Sequence, residues 1–195
     1  MGSIKKELLS GVFYTAIAKY SGILISLIIT GVLARLISPD KFGIVAVVTV
    51  ITFFFSIFSD LGIGAAIIQN KELQQKDLNQ LFSFTVWSGC ILTLLFFLCS
   101  WPISFFYKEP SMKTITQLLA INLFFASANI VPNALLYKAK AFKFLAWRSL
   151  GVQVSGGIIA ILAALGGAGL YALIINPILS SILLFIISYQ KYPQT

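Results

Sequence analysis

Apolar residues run along this chain in long blocks, broken by short polar stretches. Six blocks stand out, at roughly 12–37, 43–68, 81–106, 115–136, 145–165 and 170–188. Their breaks are compact and polar, as in Ser38-Pro39-Asp40-Lys41 and Tyr107-Lys108-Glu109-Pro110-Ser111. A helix of about 20 apolar residues crosses the hydrocarbon core of a bilayer, and every block is close to that length or longer. The first three exceed it, which predicts tilt or an interfacial end turn. None alternates in polarity, as the strands of an outer-membrane barrel would. Lipid offers no partner for a free backbone amide, so each block is read as a helix. The pattern predicts an all-α polytopic membrane protein, a six-helix bundle forming one transmembrane domain over residues 1–195.

Composition supports this reading. Hydrophobic residues make up 58% of the 195 positions and charged residues 10%, against roughly a quarter charged in a soluble domain. The net charge of +8 is dispersed between apolar runs, which argues against nucleic acid and for loop lysines facing anionic headgroups of membrane lipids. With the N-terminus inside, nine Lys and Arg fall on the cytoplasmic side: Lys5, Lys6, Lys71, Lys76, Lys138, Lys140, Lys143, Arg148 and Lys191. Arg35, Lys41, Lys108 and Lys113 fall opposite. The positive-inside rule therefore predicts that both termini are cytoplasmic. Trp101, Tyr107, Tyr171, Tyr137, Trp147, Tyr189 and Tyr192 sit at block edges, where amphipathic rings prefer the headgroup level. Cys90 and Cys99 lie inside one apolar block and read as small hydrophobes. The chain has no histidine and no spaced ligand set, so neither a metal nor any other cofactor is expected. The same lack of acid–base groups, paired carboxylates and phosphate loops predicts that it is not an enzyme.

A few polar residues interrupt the blocks. Thr15, Lys19, Gly22, Ser26 and Thr30 recur every three or four residues and share one face of the first helix. A charge inside a span normally faces a cavity or a partner. Lys19 then lines a wet cavity and attracts an anionic substrate; the other reading is that it snorkels to the headgroups. Thr49, Thr52, Ser56 and Asp60 form a similar stripe on the second helix. Asp60 is a candidate for pairing with Lys19 or for binding a coupling cation; alternatively it marks the helix end before Gly62. Asn122, Asn129 and Asn133 line up on the fourth helix beside Pro132, and Asn176-Pro177 interrupts the sixth; proline there permits a hinge. Gln153 is a candidate lining residue, while Gly156 and Gly157 beside it indicate close helix packing. The basic, aromatic stretch from Tyr137 to Lys143 reads as an amphipathic surface helix on anionic lipid, or as a docking site for a pyrophosphate.

Several stretches resemble a known family. Leu33-Ala34-Arg35-Leu36-Ile37-Ser38-Pro39-Asp40-Lys41-Phe42-Gly43 is similar to the turn between the first two helices of polysaccharide exporters. These are the lipid-linked oligosaccharide flippases of the multidrug/oligosaccharidyl-lipid/polysaccharide superfamily. The stretches Ser59–Gln69, Pro132–Leu136 with Phe142-Lys143, and Gly169–Ile174 resemble later elements of the same family in the same order, Tyr171 standing where that family has tryptophan. The resemblance implies a six-helix lobe of a transporter that moves a polyprenyl-pyrophosphate-linked oligosaccharide between leaflets of a cytoplasmic membrane. It implies Lys19 as a basic substrate-binding residue; the polar positions read above add Ser26, Asn122 and Gln153 as candidate substrate-binding groups. Arg35, Pro39, Phe42 and Gly43 would shape the turn. Chains of that family usually hold twelve or more spans, so this one looks like the N-terminal bundle and is expected to need a second six-helix bundle, as a homodimer or a separate chain. A drug/cation antiporter of the same fold, which would favour Asp60 as the ion site, and a non-transporting remnant or scaffold are the alternatives.

Overall fold

A computed structural model describes residues 2–60, 62–70 and 72–191, with side chains described from Gly11 onward except Val12. The side chains of Lys5 and Lys6, and the whole of Lys71 and Tyr192, lie outside the described residues. Among the described residues eight α-helices follow one another: α1 Gly2–Leu36, α2 Pro39–Asp60, α3 Ile63–Gln69, α4 Gln75–Tyr107, α5 Pro110–Ala128, α6 Ile130–Lys138, α7 Phe142–Leu165 and α8 Ala172–Lys191. A 3-10 turn at Gly169–Tyr171 leads into α8. The described residues contain no strand. They form six stretches long and apolar enough to cross a membrane, α2 with α3 making one and α5 with α6 another.

The two broken stretches have local causes. Gly62 adopts φ 77 between α2 and α3, a left-handed conformation that is cheap for glycine and ends the helical ladder. Pro132 lacks an N–H and its ring crowds the carbonyl four residues back, that of Ala128, and α5 stops at Ala128. The ladder resumes when the Asn133 N–H bonds to the Asn129 carbonyl at 2.9 Å. Proline is well placed at the other end of α5, where Pro110 opens the helix; its missing N–H would have no partner there anyway.

The first helix lies on α7, and α2 lies on α5, which also packs on α4 and α8. Consecutive helices α1 and α2 therefore diverge onto different parts of the bundle. Ile29 and Leu33 of α1 and Ile37 just beyond it are buried with Ala160 and Ala172. Val48 and Phe96 join Met112, Ile115, Leu119 and Leu123 of α5 in a second cluster. The third cluster joins Ile67, Leu78, Val131 and Leu135 of α3, α4 and α6. Small residues set the closest approaches: a Cβ on Gly89 would lie 2.7 Å from the Ser127 Cβ, and one on Gly157 would overlap Ile29. Such residues let helix backbones meet closely where lipid provides no hydrophobic drive.

Lys138 Nζ donates to the Asn70 carbonyl at 2.8 Å, Phe82 stacks near Tyr189, and Gly11 meets Phe142. These contacts gather the starts of α1, α4 and α7 and the ends of α3, α6 and α8 at one end of the bundle, the termini end. At the far end Lys41 reaches Gly169, and Lys113 sits over the Trp101 ring at 4.9 Å. The stretch from Tyr137 to Lys143 is not the surface helix expected from its composition. Tyr137 and Lys138 complete α6, Lys140 turns the chain at φ 53, and Phe142 already begins α7.

Candidate functional site

Two clefts open at the termini end, on either side of Tyr137, which lines both. The first, about 260 Å³, lies between α1 and the start of α7, with Thr15, Lys19, Leu145 and Ser149 in its wall. The second, about 460 Å³, lies where α2 and α3 face α5 and α6, with Ser56, Ser59, Asp60, Gly64, Ser127 and Asn133 in its wall. The second owes its place to the helix breaks beside it. Ending α2 at Asp60 and α5 at Ala128 leaves room that continuous helices would fill.

Lys19 is exposed on the first cleft, about 12 Å along α1 from Gly11 at 1.5 Å per residue. Thr15, one turn before it, spends its hydroxyl hydrogen on the Gly11 carbonyl at 2.8 Å. Ser149 does the same with the Leu145 carbonyl at 2.8 Å, so both keep lone pairs toward the cleft. Lys19 is thus the cation of this cleft.

Behind the second cleft sits Arg148, on the second turn of α7 and only 9% exposed. Its Nη2 donates to Asn133 Oδ1 at 2.8 Å, and its Nη1 donates to Ser188 Oγ. Ser188 passes its own hydrogen to the Leu184 carbonyl. Arg148 Nε is buried without a hydrogen-bond partner. One guanidinium thus ties α6, α7 and α8 together through two neutral groups. Arginine has only donors, so the Asn133 oxygen must face it, and the Asn133 amide NH₂ is the group left for the cleft. Ser127 and Ser59 share a hydrogen bond of 2.9 Å across α5 and α2 in the same wall.

Lys19 and Asp60 each line a cleft, but different ones, and they do not pair. Ser26 is exposed on α1 and Asn122 half-buried on α5; neither lines these clefts. Gln153 Nε2 donates to the Gly22 carbonyl at 2.8 Å, which clamps α7 to α1. In the turn between α1 and α2, Leu33 and Ile37 are buried while Arg35 and Pro39 are exposed. Phe42 packs on the α1–α7 cluster. A Cβ on Gly43 would meet nothing within 4 Å, so crowding does not require glycine there. Thr49, Thr52 and Ser56 each donate to a carbonyl of their own helix. From the sequence, Arg148 counted only as a charge at the membrane edge, Tyr137 belonged to a stretch with pyrophosphate docking as its second reading, and Asn133 had no binding role. An arginine six residues into a helix, with polar Asn133 and Ser188 on flanking spans, was the available signal. No three His, Cys, Asp or Glu among the described residues cluster as metal ligands would.

Six membrane-length apolar helices with a cation-bearing polar cleft at one end define a polytopic helical membrane protein. The chain belongs to the polysaccharide biosynthesis protein family, whose pattern it matches over residues 32–195. It is 27% identical to the lipopolysaccharide biosynthesis protein WzxC of Escherichia coli over 81% of this chain and 31% of that protein. It is 28% identical to the teichuronic acid biosynthesis protein TuaB of Bacillus subtilis, over 62% of this chain and 25% of that protein. A third relative is the succinoglycan biosynthesis transport protein ExoT of Rhizobium meliloti, 22% identical over 77% of this chain and 31% of that protein. The chain therefore spans less than a third of the length of these relatives. No solved structure matches it significantly.

Proposed function

We propose that this chain is one six-helix lobe of an exporter that carries polyprenyl-pyrophosphate-linked oligosaccharide across a cytoplasmic membrane for surface polysaccharide synthesis. Its family supports a role in polysaccharide export, and one relative's name includes transport. The observation that carries the reading is the position of Lys19: a cation within a span, open to a cleft at one end of the bundle. A charge there is costly unless a cavity or an opposite charge receives it, and the pyrophosphate supplies that charge. We take the termini end as cytoplasmic from the distribution of Lys and Arg. The substrate then enters at the inner leaflet with its phosphates toward Lys19. Carriage to the other side needs a second bundle for this one to rock against, either another copy or the rest of a longer transporter. In this reading no covalent bond changes and the protein is not an enzyme.

The test is genetic. Deleting the gene should abolish surface polysaccharide and accumulate its lipid-linked precursor on the inner leaflet. The intact gene should restore export and Lys19→Ala should not. Full restoration by Lys19→Ala at equal membrane abundance would remove the cation from the mechanism. Drug resistance without any glycan phenotype would instead favour a cation-coupled antiporter using Asp60.

A further inference from the structure

The second cleft differs in chemistry from the first, and the reading above uses only the first. We propose that the second cleft is a sugar subsite, in which Asp60, Asn133 and the ring of Tyr137 hold the first sugar of the substrate while Lys19 holds its pyrophosphate. This rests on the transport reading and divides its substrate between the two clefts.

Each sugar hydroxyl is both donor and acceptor, so a site for one needs fixed groups of both kinds. An ionised Asp60 offers acceptors only, and Asn133, with its oxygen taken by Arg148, offers a donor. That orientation is dictated, because reversing the Asn133 amide would point its NH₂ at a guanidinium that has nothing to accept with. Arg148 is thus a positioning residue. Burying its charge against neutral partners is expensive, and the fork fixes the one wall amide that faces the cleft. Tyr137, 40% exposed, supplies an aromatic face for the apolar side of a pyranose ring. Ser56 spends its hydrogen on the Phe53 carbonyl and keeps lone pairs for a hydroxyl.

Charge sorts the two ends of the substrate. The Asp60 carboxylate would repel a pyrophosphate from the second cleft, whose wall holds no cation, and the Arg148 guanidinium behind it is buried with both terminal nitrogens spent on Asn133 and Ser188. Lys19 attracts it to the first. Size agrees: about 460 Å³ falls within the range of about 300–1,000 Å³ usual for small-molecule sites. The first cleft, about 260 Å³, suits a compact charged group. Tyr137 is common to both walls, so a substrate that links pyrophosphate directly to sugar can pass over it from one cleft to the other.

The experiment measures binding of four lipids to the full chain in nanodiscs: bare polyprenyl pyrophosphate, and the same lipid bearing glucose, galactose or N-acetylglucosamine. At least one sugar-bearing lipid should bind about tenfold or more tighter than the bare one, the margin expected for hydrogen bonds to an oriented and partly charged site. Asp60→Asn should erase that margin while the bare lipid binds no more weakly, since a repulsive charge has gone. Asn133→Ala and Arg148→Lys should erase it too, whereas Lys19→Ala should weaken all four lipids alike. Asp60→Asn leaves the Arg148 fork untouched, so it decides the matter even if Asn133→Ala fails to fold. Binding of the bare lipid with no margin for any sugar would overturn the subsite alone. So would an equal loss of bare and sugar-bearing lipids in Asp60→Asn. Failure of the bare lipid to bind at all would overturn the transport reading and the subsite with it.

Discussion

Arg148 shows how a single residue can be both costly and useful. A charge at the centre of a span costs about 2.5–3.5 kcal/mol on insertion scales, and near a span end less. Hydrogen bonds from a charged donor contribute about 1.5–3 kcal/mol each, so the fork onto Asn133 and Ser188 is of the size needed to offset the burial. The planar fork matters because one ammonium cannot reproduce its two divergent donors. Arg148→Lys should therefore lower stability by about 1–3 kcal/mol, seen as a lower thermal midpoint in detergent. An unchanged midpoint would mean that the fork contributes nothing. Gln153 acts at the same scale between helices. Gln153→Ala removes its bond to the Gly22 carbonyl and should cost about 0.6 kcal/mol, the average for polar contacts between membrane helices, with no added effect on the sugar margin.

At the scale of helices, approach distance and breaks decide the architecture. Gly157 brings α7 onto α1 so closely that a Cβ would overlap Ile29. Gly157→Ala should destabilise by about 1–3 kcal/mol, the usual range for overpacking. Combining it with Ile29→Ala should cost less than the sum of the two single changes, because the second makes room for the first. A double-mutant cycle on thermal stability measures this, and strict additivity would show that the two side chains do not compete for space. The α5–α6 break has an equally local origin in Pro132. Pro132→Ala restores a donor for the Ala128 carbonyl and should join α5 and α6 into one helix. That would carry Asn133 away from Arg148, with spin labels at positions 121 and 137 moving apart. An unchanged distance would locate the cause of the break elsewhere.

Over the whole molecule, the bundle leaves much of its apolar surface uncovered. Leu24, Leu27, Ile28 and Phe53, Phe54 are more than half exposed, which hydrocarbon tolerates and water would not. α1 is the least covered of the six membrane-length stretches, with 11% of its most apolar window buried. Its polar residues Lys19, Ser26 and Thr30 are exposed on it too. The threading makes a further prediction. Cysteines placed at Lys41, at the far end, and at Lys76, at the termini end, should react with an impermeant reagent from opposite sides of a vesicle. Labelling of both from the same side would overturn the six-span threading.

Six helical spans were legible in the chain itself, because lipid enforces one rule on every residue it touches. Long apolar runs with satisfied backbones can only be helices there, and no tertiary information is needed to read them. Lys19 and Asp60 stood out for the same reason: a charge within an apolar run is visible as an exception. Their separation into two clefts was not legible, since periodicity says which residues share a face and not which helix that face meets. The Gln153 bond across the α1–α7 contact was invisible in the sequence, and Arg148 looked like an edge charge until Asn133 and Ser188 closed around it. Those assignments depend on contacts between residues 15 to 131 positions apart. Only the packing of the bundle creates such contacts, because local propensity carries no information about the partner.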